Sequence, residues 1–290
     1  MTKTADISSP WRLLASTPVD QVLVPLRREC VSGSEATPTF PTKYFQTRPN
    51  HPYTQRWMTG HILHPQNRER GLALLNQGTV QYNRFEPTPL RWNSTQWNEN
   101  PFESRNWEWC HHQLMAVHYL MAAAGSHPGS RSAAMDMVRS WAAANCSATF
   151  PSSLSWNDHA TAFRVRTLLC LFEYIRTEEP PSETDLQFLL ALIGSHCRVL
   201  ADPAFFSRHT NHGFDQGIIL YWAASAFPEL VESTTWLSLA QKRVDEEIAF
   251  MFTSEGIHVE NSPSYHVWML MVWRNTCCYP RKMPPPNSGP

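Results

Sequence analysis

Tyr265 and His266 stand side by side at the end of Glu255-Gly256-Ile257-His258-Val259-Glu260-Asn261-Ser262-Pro263-Ser264-Tyr265-His266. Gly256 accepts a positive φ without a Cβ clash, so it allows a sharp exit from a preceding helix. Ser262 suits an N-cap and Pro263 the first turn of a new helix. Tyr265 and His266 then fall beside unpaired N–H groups at the positive end of the helix dipole, where a phenol and an imidazole can face an anion. Two other stretches combine similar residue types. His209-Thr210-Asn211-His212-Gly213 lies between helical patterns, and Trp156-Asn157-Asp158-His159-Ala160-Thr161-Ala162-Phe163-Arg164 opens a third. A bland reading stands beside each. Asn211 can be an N-cap, His159 a half-buried imidazole, Arg164 a partner of Asp158 or Glu173, and Tyr265 a packing residue in a polar helix–helix turn.

The three stretches, in this order and separation, resemble the heparinase II/III family of polysaccharide lyases over residues 95 to 272. The matching pieces are Trp156 with His159-Ala-Thr-Ala-Phe-Arg164, then Asn211-His212-Gly213, then Glu260-Asn-Ser-Pro-Ser-Tyr265-His266. The resemblance implies β-elimination at a uronic acid. The uronate carboxylate must be neutralised, the C5 proton removed and the departing O4 protonated. By resemblance Asn211 serves the carboxylate, the kind of charge stabilisation that is often the largest catalytic term. Tyr265 serves as base and acid, which requires nearby cations to lower its pKa. His159, Arg164 and His212 are the candidate cations, and Trp156, Glu260 and His266 complete the substrate-binding set. The implied partner is an acidic polysaccharide or oligosaccharide, with no cofactor and no metal.

Composition fits such a protein. The chain has 290 residues, 42% of them hydrophobic, enough for a sizeable core. Net charge is −1, so no global field draws it to nucleic acid or a membrane, and an acidic polymer would need a local basic cleft. Most of the 12 Trp read as core, and some as stacking platforms for sugar rings. The seven Cys show no CxxC spacing, and Cys110, Cys170 and Cys197 read as small buried hydrophobes. No secretory h-region or transmembrane run is evident, so a cytoplasmic protein is the default. Oligomeric state stays open.

The elements that must position these residues are helices. Residues 1–95 read as an irregular lead-in with one or two short helices, in which short apolar pieces such as Val22-Leu23-Val24 and Arg70-Gly-Leu-Ala-Leu-Leu75 can pack on a larger body, and with His51, His61 and His64 as solvated loop histidines. From Ser104 the spacing predicts one helix carrying Trp107, Leu114, Val117, Leu120 and Met121 inward, together with His111, His112 and His118. Further helices follow over 131–144, from a cap at Asp158 to the Glu178-Glu179-Pro180-Pro181 stop, from Ser182 or Thr184 to 200, over 213–227 and 234–252, and from Pro263 onward. Short connections make antiparallel hairpins. The fold expected over 96–273 is mostly α, an incomplete α/α toroid, with the three motifs at connections around one cleft. Arg164 is expected at the margin of that cleft.

Residues 274–290 read as a disordered tail unlike the family, and the family's C-terminal β-sandwich is absent from the sequence. A lyase impaired by truncation is the resulting expectation. A glycoside hydrolase on the same architecture would use two of Asp158, Asp215, Glu255 and Glu260. A non-catalytic carbohydrate binder is the second rival. A metal enzyme using His209, His212 and His258 is the third, and it lacks an HExxH frame.

Overall fold

The computed structural model describes residues 42–146, 151–177, 180–259, 262–264 and 266–267. Ten α-helices carry nearly all the regular structure among them: α1 Thr42–Thr47, α2 Pro52–Trp57, α3 Pro65–Gln77, α4 Arg105–His112, α5 Met115–Ala123, α6 Ser130–Asn145, α7 Asp158–Arg176, α8 Glu183–Ala201, α9 Asn211–Ala226 and α10 Ser233–Met251. A π-helical turn, Met58–Ile62, prolongs α2. Two short strands, β1 Thr79–Val80 and β2 Thr88–Pro89, pair antiparallel with Thr79 opposite Pro89.

Successive helices pack as hairpins, α5 on α6, α7 on α8 and α9 on α10, while α3 lies against α5 and α7 crosses to α9. The result is an incomplete α/α toroid around a main apolar core, with a smaller cluster of Phe214, Val244 and Met251 between α9 and α10. Helix α7 is its axis, touching α1, α2, α4, α5, α8 and α9. Fifteen of its 19 residues are buried, as expected of a helix that is apolar on most faces. Each fully buried Leu, Ile or Phe there, such as Leu168 or Phe172, contributes roughly 1.5–3 kcal/mol. Cys110, Cys170 and Cys197 are buried in the same core. Among the described residues no helix is long and apolar enough to cross a membrane.

Three expectations are corrected here. The segment from residue 42 onward is part of the body. Phe45, Tyr53, Ile62 and Leu74 join the main core, and the buried Arg176 donates to the Phe45 and Arg48 carbonyls at 2.8 and 2.9 Å. The six-residue helices α1 and α2 are too short to display a period, whereas α3, at 13 residues, contains the apolar piece 70–75 expected to pack. His51 and His64 do lie in connections, as N-cap residues, with His64 exposed, while His61 belongs to the π-helical turn. His51 reaches Ser225 Oγ at 3.2 Å, His61 stacks on Trp57, and the His64 ring accepts from Gln66 N to cap α3. The single helix expected from Ser104 is two, because Leu114 takes φ +63 between α4 and α5. Each half then packs its own apolar side.

Candidate functional site

The cluster forms where the starts of α7 and α9 meet the end of α10. Capping decides which side chains are left for chemistry. Asn157, not Asp158, caps α7, its Oδ1 accepting from His159 N and Ala160 N at 3.2 and 3.0 Å. Thr210, not Asn211, caps α9, its hydroxyl accepting from Gly213 N at 3.0 Å. Asn211 therefore sits in the first helical turn with its side chain half-buried.

The loop before α9 is held tightly. Glu247 of α10, fully buried, accepts from His209 N at 2.8 Å and Thr210 N at 3.1 Å. These bonds support His209 at φ +62, a left-handed backbone costly for a residue with a Cβ. Gln216 accepts from Ser207 N at 2.9 Å and donates to the Phe205 carbonyl at 3.0 Å. Gly213 is required by the same fold-back. A Cβ there would lie under 3.0 Å from the Ser207 carbonyl oxygen.

Two Asp–His pairs cross between the helices. Asp158 of α7 accepts from His212 Nδ1 of α9 at 3.0 Å and from the Ser207 hydroxyl. His159 of α7 donates from Nε2 to Asp215 of α9 at 2.7 Å. The two imidazoles stack at 4.2 Å with planes 20° apart. Trp109 and Phe163 flank His159 at 5.3 and 4.4 Å. Burial alone would raise the Asp158 carboxyl. The hydrogen bonds from His212 and Ser207 outweigh it and hold Asp158 at about 2. The same bond to Asp158 raises His212 above an ordinary imidazole, against the opposing effect of burial, and the Asp158 and Asp215 charges add to it. The charged form of His212 is thus favoured more than in a free imidazole. With Nδ1 tied to Asp158, Nε2 is its remaining donor for a ligand.

Other expected site residues lie elsewhere. Arg164 is fully buried and is not at the cleft margin. It donates to His196 Nε2, the His112 carbonyl and Thr161 Oγ1 at 2.9, 2.6 and 3.2 Å, and its guanidinium stacks on Trp141 at 3.8 Å. Trp156 lies in the same buried cluster, donating to the Asn145 carbonyl at 2.9 Å, so it offers no face to a sugar. Both corrections share a cause: helix α7 is buried on nearly all sides, so its face toward α6 and α8 cannot reach solvent. His266 is half-buried, with Nδ1 accepting from His258 N at 3.4 Å and its ring 5.8 Å from Phe252. Tyr265 and Glu260 lie outside the described residues. Gly256 has φ +77, as a sharp turn requires, but in the turn after Phe252 and not directly at the helix end. Phe252 packs on the cluster containing Phe214, which ties this segment to the start of α9. His209 and His212 diverge, since His209 stacks on Phe250 at 4.2 Å.

Sequence reasoning missed Ser207 and Glu247, and it offered Asp158 and Asp215 only as carboxylates for the hydrolase rival. Only Asp215 left a local signal, its i,i+3 spacing from His212 on one helix face. The others come from separate elements.

Among solved structures, the fold matches heparan sulfate lyase HepC of Pedobacter heparinus. A mutant form aligns at TM-score 0.64 with 16% identity, covering 81% of this chain and 37% of the lyase. A second HepC structure aligns at TM-score 0.57 with 15% identity, covering 92% of this chain and 38% of the lyase. The chain thus spans under two fifths of the length of these lyases. No curated protein sequence matches it. The family profile described as heparinase II/III N-terminus matches residues 33–277, so the chain belongs to the heparinase II/III N-terminal family.

Proposed function

We propose that this protein acts on uronate-containing acidic polysaccharides by β-elimination, as a polysaccharide lyase. The observation that carries the reading is the pairing of Asn211 with His212 in one helical turn, held by Asp158, Ser207 and Glu247, with Asp158 favouring the charged form of the imidazole. An amide and a positioned imidazole N–H donor in adjacent positions suit a carboxylate whose charge grows toward oxygen as the C5 proton leaves. His159, fixed by Asp215, adds a second imidazole beside them. Tyr265 is the proposed proton carrier, removing the C5 proton and returning one to O4. The hydrolase alternative is disfavoured because Asp158, held ionised at about 2, cannot act as a general acid, and Asp215 is committed to His159.

The test is an assay on several uronate polymers, following the ultraviolet absorbance of the unsaturated uronate that elimination leaves and hydrolysis does not. Turnover lost in Tyr265→Phe and in Asn211→Ala, with both proteins folded, supports the reading. Binding without any absorbance change, in the wild type and on every polymer, overturns it in favour of a carbohydrate-binding protein.

A further inference from the structure

Arg166 is a charged side chain outside the Asp–His cluster. It is 9% exposed, on α7 two turns after His159. Its guanidinium lies between two rings, 3.9 Å from the centre of Trp57 and 3.8 Å from that of Phe163. It makes no hydrogen bond or ion pair with any described residue, and its Nε is enclosed without a partner. Its terminal nitrogens likewise donate to no described residue. Burying an arginine without an acceptor is costly, and proteins ordinarily satisfy such a group with a carboxylate. Here aromatic faces hold the cation and its forked donors are left open, which is the geometry that grips a planar or tetrahedral oxyanion in two places.

The neighbours reinforce this. His212, His159, Phe163, Arg166, Trp57 and His61 form one continuous stack, with successive separations of 4.2, 4.4, 3.8, 3.9 and 4.0 Å. It runs from the start of α9, along α7, to the π-helical turn after α2. His212, Phe163 and Trp57 are half-buried and His61 is exposed, so the stack keeps an edge toward solvent. The charged or titratable groups facing Arg166 are Asp215 on α9, Cys170 on its own helix, His118 on α5 and His61. Burial, aided by Arg166, depresses both histidines, with His118 brought to about 3, so both are neutral at pH 7. Burial also lowers Arg166, to about 10, which leaves it charged. Asp215 is engaged with His159.

We propose that Arg166, clamped by Trp57 and Phe163, is an oxyanion subsite that binds a carboxylate or sulfate group of an acidic oligosaccharide, on a sugar next to the one held at Asn211 and His212. This deepens the lyase reading and rests on it for the substrate class. The experiment titrates the full chain calorimetrically with three short oligosaccharides: an unsulfated uronate, its sulfated counterpart and a neutral one. Arg166→Lys and Arg166→Gln are compared with wild type, and a circular dichroism melt checks each fold. Binding of the acidic probes weakens at least about tenfold in Arg166→Gln, or 1.4 kcal/mol. It weakens less in Arg166→Lys, which keeps the charge without the fork. The probe that loses more affinity identifies carboxylate or sulfate as the occupant.

A wild-type readout is independent of the variants' folding. The Arg166 Nε–H resonance shifts on adding either acidic probe and not on adding the neutral one. An unchanged resonance, equal weakening for the neutral probe, or no acidic binding by wild type overturns the subsite. Binding through Arg166 without elimination leaves the subsite standing and removes the lyase reading. Elimination with an unchanged KM in a folded Arg166→Gln protein does the reverse.

Discussion

Replacing Gly213 by Ala sets two effects of opposite sign against each other. Gly213 lies in the first turn of α9, where Ala is the better helix former by up to about 1 kcal/mol. Against this, the new Cβ would fall under 3.0 Å from the Ser207 carbonyl oxygen, 3.1 Å from its carbon and 3.3 Å from Glu247 Oε1. Ser207 cannot retreat freely. Its N–H is held by Gln216, its carbonyl accepts from the Thr210 hydroxyl at 2.6 Å, and its own hydroxyl holds Asp158. Overpacking of this kind costs about 1–3 kcal/mol, and loosening even one of these bonds adds roughly 1 kcal/mol. The clash therefore wins by about 1–3 kcal/mol net. At about 2–4 °C per kcal/mol for a chain of this size class, Tm falls by roughly 2–12 °C. The control is Gly60→Ala, with nothing within 4 Å of the added Cβ, which is expected to leave Tm unchanged. Differential scanning calorimetry reads both. Because Ser207 also positions Asp158 and hence His212, the proposed lyase reading expects kcat on a uronate polymer to fall in folded Gly213→Ala protein more than the melt alone explains. A Gly213→Ala protein that melts at or above wild type with full activity would refute the close-approach argument.

Three further outcomes follow from the same contacts. Asp158→Asn removes the partner that raises His212, so the His212 titration seen by NMR moves down toward the ordinary imidazole value. For stability, the wild-type Asp158 contribution is present above its unfolded pKa near 3.9 and is lost as pH falls through about 2. The His212 contribution is full below its unfolded pKa near 6.5 and is lost as pH rises through the higher folded value. Both limbs flatten in Asp158→Asn melts taken across pH. Arg164→Met strips His196 Nε2 and the His112 carbonyl of their donor and lowers stability by about 2–4 kcal/mol in a denaturant titration. It leaves KM of the folded fraction unchanged, since Arg164 does not reach the cleft. Asn211→Asp keeps the fold, because the side chain is half-buried and is not the cap, but it opposes a uronate carboxylate with like charge. Turnover is expected to drop at least about a hundredfold, on the scale of losing one oxyanion donor, in initial-rate kinetics.

The helical body after residue 100 was legible in the sequence, because the three-four spacing of bulky residues and the stops at Pro180 and Pro228 report local physics that needs no partner. The starts of α7, α8 and α9 fell within a few residues of expectation for the same reason. The Asn211-His212-Gly213 and His159 stretches could be picked out by residue type and order. Their roles could not, since capping was settled by one residue's shift, Asn157 for Asp158 and Thr210 for Asn211. The short helices α1 and α2 carried no readable period, and only their burial against α7 shows that they belong to the body. What only the tertiary structure decided is which charged groups on one helix face which neighbour. Arg164 and Arg166 are two residues apart on α7, and no sequence pattern separates them. Two residues turn the helix by about 200°, so one guanidinium is driven among His112, His196 and Trp141 and fully satisfied there. The other is clamped between Trp57 and Phe163 and makes no hydrogen bond with any described residue.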